Sequence, residues 1–117
     1  MNKQDIIDYC LSLPGVYEES SKDGVFAKFR YSTNKKCFVH VYERNGHLFV
    51  NIKSHPDTVD FLRQTYKDIN VGFNTDKSSW NAIRIGGDVP EDELRSMISE
   101  SYNSVKPKRS ATWTTLA

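Results

Sequence analysis

The chain has little of what marks an exported or disulfide-braced protein. Only two cysteines occur in 117 residues, Cys10 and Cys37. Far apart and alone, they make neither a disulfide framework nor a CxxC redox motif. Both read as small buried hydrophobes. No apolar run approaches the ~20 residues that span a bilayer. The opening MNKQDIIDYC carries acids and has no uninterrupted apolar stretch, so no signal peptide is expected. A soluble, cytoplasmic protein without a membrane partner is the expectation. The formal net charge is only +1, which excludes gripping polyanions by bulk charge.

Chemical motifs are missing too. There is no glycine-rich dinucleotide fingerprint, no phosphate-loop signature and no nucleophile elbow. His40, His47 and His55 share no metal-ligand spacing. The acid pair Glu18 and Glu19 reads as a solvated loop. Glu91, Asp92 and Glu93 read as the first turn of a helix, where the dipole favours negative charge. Cys37 falls on an apolar parity, a poor place for an exposed nucleophile. The expectation is a non-enzymatic protein with no cofactor and no metal.

What is present is ordinary globular composition, 38% hydrophobic and 26% charged, which argues against disorder. The length suits one domain. Asn2 can cap a first helix carrying Ile6, Ile7, Cys10 and Leu11, ended by Leu13-Pro14-Gly15. Val16 to Gly24 reads as a polar connection. The period then changes to two over Val25–Tyr31, Cys37–Tyr42 and Leu48–Lys53, with the turn-forming Asn45-Gly46 between the last two. Pro56 opens a second helix, with Val59, Leu62 and Tyr66 at helical spacing and Phe61 nearby. Lys67 to Ser79 reads as a long connection holding Val71-Gly72-Phe73. A fourth strand runs from Trp80 to Ile85. Pro90 opens a last helix with Leu94, Ile98, Ser101, Tyr102 and Val105 on its inner stripe. The spacing predicts an α+β fold in the order α-β-β-β-α-β-α, an antiparallel sheet with helices on one face. One domain is expected over residues 1–106, with a basic, flexible tail over 107–117.

Charge is unevenly placed. Residues 1–24 carry a net −3, residues 25–55 a net +5, residues 56–105 a net −4 and the rest a net +3. A near-neutral total therefore hides a basic sheet between acidic helices. Strand alternation divides that sheet. One parity (Val25, Ala27, Phe29, Cys37, Val39, Val41, Leu48, Val50 and Ile52) is apolar and should face the helices. The other interleaves cations and rings through Phe26, Lys28, Arg30, Lys36, Phe38, His40, Tyr42, Arg44, His47, Phe49, Asn51 and Lys53. Such a face can stack bases and track phosphates. It can equally be a solvated sheet face stabilised by cross-strand aromatic pairs. Lys77 and Trp80 join the candidates as a cation and a ring at a loop-to-strand junction, where Trp80 is alternatively a core anchor.

Several landmarks together resemble the MmcQ/YjbR family of small bacterial proteins. They are Leu13-Pro14-Gly15, Lys36-Cys37-Phe38, Lys53 followed by Pro56, Trp80-Asn81, Val89-Pro90, Glu93-Leu94 and Ser101-Tyr102. His55 and Ser79 stand where that family often has an acid and a histidine. The resemblance implies a frataxin-like two-layer sandwich, also described as a double-wing DNA-binding fold. Frataxins bind iron through acids, but Asp5, Asp8, Glu18 and Glu19 are too few here to imply that site. The expected function is a binding module, for nucleic acid with weak, salt-dependent affinity. A protein-interaction or dimerisation module using Phe26, Phe38 and Phe49 stays open as the alternative.

Overall fold

The computed structural model describes residues 1–107. All of the expected tail except Pro107 lies outside the described residues. Nine elements follow in order: α1 (Lys3–Ser12), β1 (Val16–Ser20), β2 (Phe26–Tyr31), β3 (Cys37–Arg44), β4 (His47–Lys53), α2 (Pro56–Thr65), β5 (Ile69–Val71), β6 (Trp80–Arg84) and α3 (Glu91–Val105). The strands form one antiparallel sheet in the order β1-β2-β3-β4-β6-β5. All three helices pack on one face. The α+β class with one helical layer therefore stands. The sheet has two strands more than the alternation predicts, both at its edges.

Local chemistry accounts for the elements. Asn2 and Asp5 form a reciprocal capping box at α1: the Asp5 N–H donates to Asn2 Oδ1 at 2.8 Å and the Asn2 N–H to Asp5 Oδ2 at 2.9 Å. Asn45 and Gly46 both adopt left-handed backbone, with φ of 53° and 77°, which a type I′ hairpin turn requires. Pro56 opens α2, where His55 Nδ1 accepts the Asp57 N–H. The first turn of α3 holds Glu91, Asp92 and Glu93 against the helix dipole.

The core lies between sheet and helices. Phe29, Val39, Val41, Val50 and Ile52 meet Ile6 and Cys10 of α1 and Leu94, Ile98 and Tyr102 of α3. The Tyr102 hydroxyl donates to the Pro14 carbonyl and Ser101 Oγ to the Phe38 carbonyl, so α3 is tied to both ends of the layer. Over β5 and β6, buried Asn81 takes the place of an apolar residue. Its Nδ2 donates to the Val59 carbonyl, and its Oδ1 accepts Arg63 Nε at 2.6 Å.

The alternation is interrupted once. Phe29 pairs with Val39 but Arg30 pairs with Cys37, which leaves Phe38 as the extra residue of a β-bulge. Two expectations are corrected by it. Phe38 is fully buried in the helix-side core, with its ring 5.9 Å from that of Tyr102. Cys37 moves to the outer face beside Arg30, half-buried. Val25, expected in the core, lies just before β2 and is 43% exposed.

Candidate nucleic-acid interface

The outer face follows from cross-strand pairing. Phe26, Tyr42, Phe49 and Arg84 lie in one row across β2, β3, β4 and β6. Glu19, Lys28, His40, Asn51 and Ala82 form the next. Beyond the bulge come Tyr17, Arg30, Cys37, Lys53 and Trp80. Phe26, Lys28, Arg30, Tyr42, Arg44, Phe49, Lys53 and Trp80 therefore share this face, as the alternation predicts. Phe38 is not among them. Lys36 and Lys77 are exposed in the segments leading into β3 and β6.

The face is not an open platform. The segment from Gly72 to Ser79 crosses it as a strap and lays Phe73 over its centre. The Phe73 ring stacks on Phe26 at 6.0 Å, with planes 14° apart, and lies 5.8 Å from Tyr42. The Arg44 guanidinium lies 3.9 Å from the Phe73 ring centroid, within cation–π range. Small Ala82 lies in the row beside Asn51, on the side from which the strap arrives. Gly72 is obligatory at the start of the strap: a Cβ there would come within 2.2 Å of Thr75 Oγ1 and 2.9 Å of Trp80 Cβ.

Asn51 is the polar centre. Fully buried, it uses its whole hydrogen-bonding capacity. Oδ1 accepts the Tyr42 hydroxyl at 2.8 Å and the Phe73 N–H at 3.3 Å. Nδ2 donates to the Phe73 carbonyl at 2.9 Å and meets His40 Nδ1 at 3.3 Å. Burial, helped by Arg44 only in the opposite direction, pushes the Tyr42 hydroxyl up to about 12. It therefore stays a donor. Burial first, then the charges of Lys28 and Arg30, pulls His40 down to about 4. His40 is thus neutral at pH 7, and its ring lies on Trp80 with centroids 4.8 Å apart and planes at 22°.

The cations differ in availability. Arg30 is engaged, with Nε donating to Glu19 Oε1 at 3.0 Å and Nη1 to the Lys35 carbonyl at 2.9 Å. Lys28 and Lys53 are half-buried, Lys28 cross-strand from His40 and Lys53 cross-strand from Trp80. Trp80 is itself half-buried on this face and so is not a core anchor. Arg63 fixes the end of the strap from the helical layer, with Nη2 donating to the Lys77 and Trp80 carbonyls at 2.7 and 3.1 Å. Sequence reasoning missed Phe73 as part of the face, because its docking is a tertiary event. Gly72 beside an aromatic was the one available signal.

Other chemistry is sparse. Among the described residues, no group of three or more His, Cys, Asp or Glu could hold a metal ion. No described helix is long and apolar enough to cross a membrane. A groove of about 310 Å³ runs between α2 and α3, with Phe61, Leu62 and Met97 on its apolar walls. It lies in the helical layer, away from the Trp80 ring.

This architecture, one antiparallel sheet backed by three helices, defines a class of small α+β proteins. The family model YjbR matches residues 11–104, and the chain belongs to the YjbR family. Among curated relatives it is similar to the uncharacterized protein YjbR of Escherichia coli (strain K12), 22% identical over 102 residues, covering 87% of this chain and 85% of that one. It is also similar to the uncharacterized protein YbdF of Escherichia coli O157:H7, 33% identical over 70 residues, covering 60% and 57%. A crystal structure of a Pseudomonas syringae protein superposes with a TM-score of 0.80 at 23% identity, covering 91% of this chain and 100% of that one. A Deinococcus radiodurans protein with domain DUF419 superposes with a TM-score of 0.81 at 24% identity, covering 97% and 86%. These likenesses establish the fold.

Proposed function

We propose that this protein is a non-enzymatic, cytoplasmic nucleic-acid-binding module that holds a single strand along the Trp80 side of its outer face. The observation that carries this reading is the His40–Trp80 stack on one sheet face, with Lys28 beside His40 on β2 and Lys53 beside Trp80 on β4. A base stacks on an indole whatever its sequence, and nearby ammonium groups track the flanking phosphates. Lys77 lies in the segment leading into Trp80 and adds to the phosphate track. Neutral His40 supports the indole without adding charge. The DNA-binding, double-wing character implied by the family resemblance enters here as part of the same proposal. The dimerisation alternative needs Phe26, Phe38 and Phe49 open together. Phe38 is in the core and Phe26 lies against Phe73, so two of its three rings are taken up within the chain.

Labelled single- and double-stranded oligonucleotides titrated at low and high salt test the reading. Single strands should bind more tightly. Affinity should fall with salt, and Lys28→Ala and Lys53→Ala should each reduce the salt slope by roughly one. No binding of either form at low salt would overturn it.

A further inference from the structure

Phe73 sits where a ligand ring would sit. It lies against the planar Arg44 guanidinium, 3.9 Å from its centroid, and against the rings of Phe26 and Tyr42. A guanidinium and aromatic rings gathered around one ring make a slot that suits a planar base. The backbone of the same residue is read by one side chain: Asn51 donates to its carbonyl and accepts from its N–H. An asparagine carboxamide makes the same paired donor–acceptor contact with a base edge, such as adenine N6 and N7. Asn51 is itself fully buried, so this recognition group is already desolvated and built into the sheet.

The strap also carries an acid. Asp76, kept below the usual carboxylate range by hydrogen bonds from Ser78 and Ser79 with Lys53 nearby, supplies an anion beside a candidate phosphate contact. The strap therefore brings a planar ring and a negative charge to a face that has rings, cations and a base-reading amide. It does so at a cost. Thr75 Oγ1 is buried without a hydrogen-bond partner. That unmet hydroxyl offsets part of what the bonds from Asn51 and Arg63 contribute to holding the segment down.

We propose that the Gly72–Ser79 strap is an autoinhibitory surrogate ligand, and that an unpaired nucleobase displaces Phe73 to enter the Arg44–Asn51–Tyr42 slot. The proposal rests on the reading of this face as a nucleic-acid surface and adds a second base position to that at Trp80. A phenylalanine-bearing peptide has the same outline as Phe73. The surrounding Lys28, Lys53 and Arg44 favour a phosphodiester instead.

The test is binding of labelled oligodeoxyadenylate and of an abasic strand of equal length to the wild type, Phe73→Ala and Thr75→Val. Circular dichroism confirms that each variant is folded. Phe73→Ala removes the ring and leaves only the backbone contacts to Asn51 holding the strap in the slot. With an open state populated at about 10% or less, oligodeoxyadenylate affinity should rise about tenfold or more, while the abasic strand gains little. Thr75→Val removes the unpartnered hydroxyl, closes the strap more firmly and should weaken binding. It decides the matter if Phe73→Ala does not fold. Unchanged oligodeoxyadenylate affinity in both variants, with wild-type binding intact, overturns the surrogate but leaves the nucleic-acid reading standing. Equal gains for both strands would mean that the slot admits backbone, not base, and also overturn it. Tighter binding by Phe73→Ala of a peptide copying residues 71–75, without a gain for the oligonucleotide, assigns the slot to peptides and overturns it. No binding of any strand by any variant removes both proposals together.

Discussion

His40 and Trp80 lie face to face, 4.8 Å apart, and the imidazole is neutral because burial and the charges of Lys28 and Arg30 oppose its protonation. The stability consequence has a definite sign. In the unfolded chain His40 takes up a proton near its ordinary 6.5; in the folded protein it resists until about 4. Between those values the unfolded state binds more protons, so acidification favours unfolding. Stability should fall as pH drops from about 6.5 to 4, by on the order of 2 kcal/mol once solvent screening of the partly buried ring is allowed for. His40→Phe keeps a ring on Trp80 and removes the titration. Urea midpoints across this pH range should be steeper for the wild type than for His40→Phe. Parallel slopes would mean that His40 does not titrate as its surroundings dictate.

Phe38 separates core from surface on this sheet. The bulge sends it against Tyr102, so Phe38→Ala should cost about 3–5 kcal/mol as a large-to-small core change. Phe26→Ala, on the outer face, should cost less because Phe26 is only partly covered. Thermal or denaturant unfolding of the two variants measures the difference. A smaller loss for Phe38→Ala than for Phe26→Ala would place the bulge elsewhere.

How much of this was legible in the sequence depends on what each element rests on. The β3–β4 hairpin was plain because Asn45-Gly46 demands a left-handed turn and the flanking residues alternate. β1 was not, because its Glu18 pairs with Phe29 at a sheet edge where its side chain stays exposed. A strand held mainly by backbone hydrogen bonds to one neighbour need not alternate. β5 has only three residues, too few for a period. The bulge was hidden because Cys37 and Phe38 are both apolar, and either order of facing satisfies a hydrophobic pattern. The cation–ring face was readable strand by strand, but the strap that covers its centre is a long-range contact with no local signature.

Arg30 has a counter-ion already. Glu19 lies 3.0 Å from its Nε at the edge of the outer face. Glu19→Gln keeps the shape and releases the positive charge. If Lys28 and Arg30 contact phosphates, Glu19→Gln should tighten oligonucleotide binding several-fold at low salt and steepen the salt dependence. Stability should change by no more than about 1 kcal/mol, since the pair is solvent-accessible. Filter binding or anisotropy at several salt concentrations reads the first, and urea unfolding the second. Weaker binding in Glu19→Gln would place the strand away from this edge.

Arg63 links the helical layer to the strap. Its guanidinium satisfies buried Asn81 Oδ1 and the carbonyls of Lys77 and Trp80. Removing it leaves a buried amide oxygen unpaired, at a cost of about 1–3 kcal/mol. Lysine cannot reproduce the forked geometry, so Arg63→Lys should lose most of what Arg63→Ala loses. Denaturant unfolding of both variants checks this. Full rescue by lysine would show that charge, not the fork, is what matters.

Gly72 is the hinge on which the strap depends. It is buried, and a methyl group there meets Thr75 Oγ1 and both Cβ and the backbone carbon of Trp80. The threonine hydroxyl can swing aside, but the Trp80 backbone belongs to β6 and cannot. Gly72→Ala should therefore lift the strap at the expense of the Gly72 N–H bond to the Trp80 carbonyl, and leave the β4–β6 ladder intact, because that ladder does not pass through residue 72. In a Trp113→Phe background Trp80 is the sole tryptophan. Its emission should shift to the red as the strap lifts, while far-ultraviolet circular dichroism stays near that of the wild type. Hydrogen exchange at the Phe73 N–H, held by Asn51 in the closed state, should accelerate in parallel. An unshifted emission with a protected Phe73 amide would mean that the strap absorbs the methyl group, and that it is a rigid part of the face rather than a movable cover.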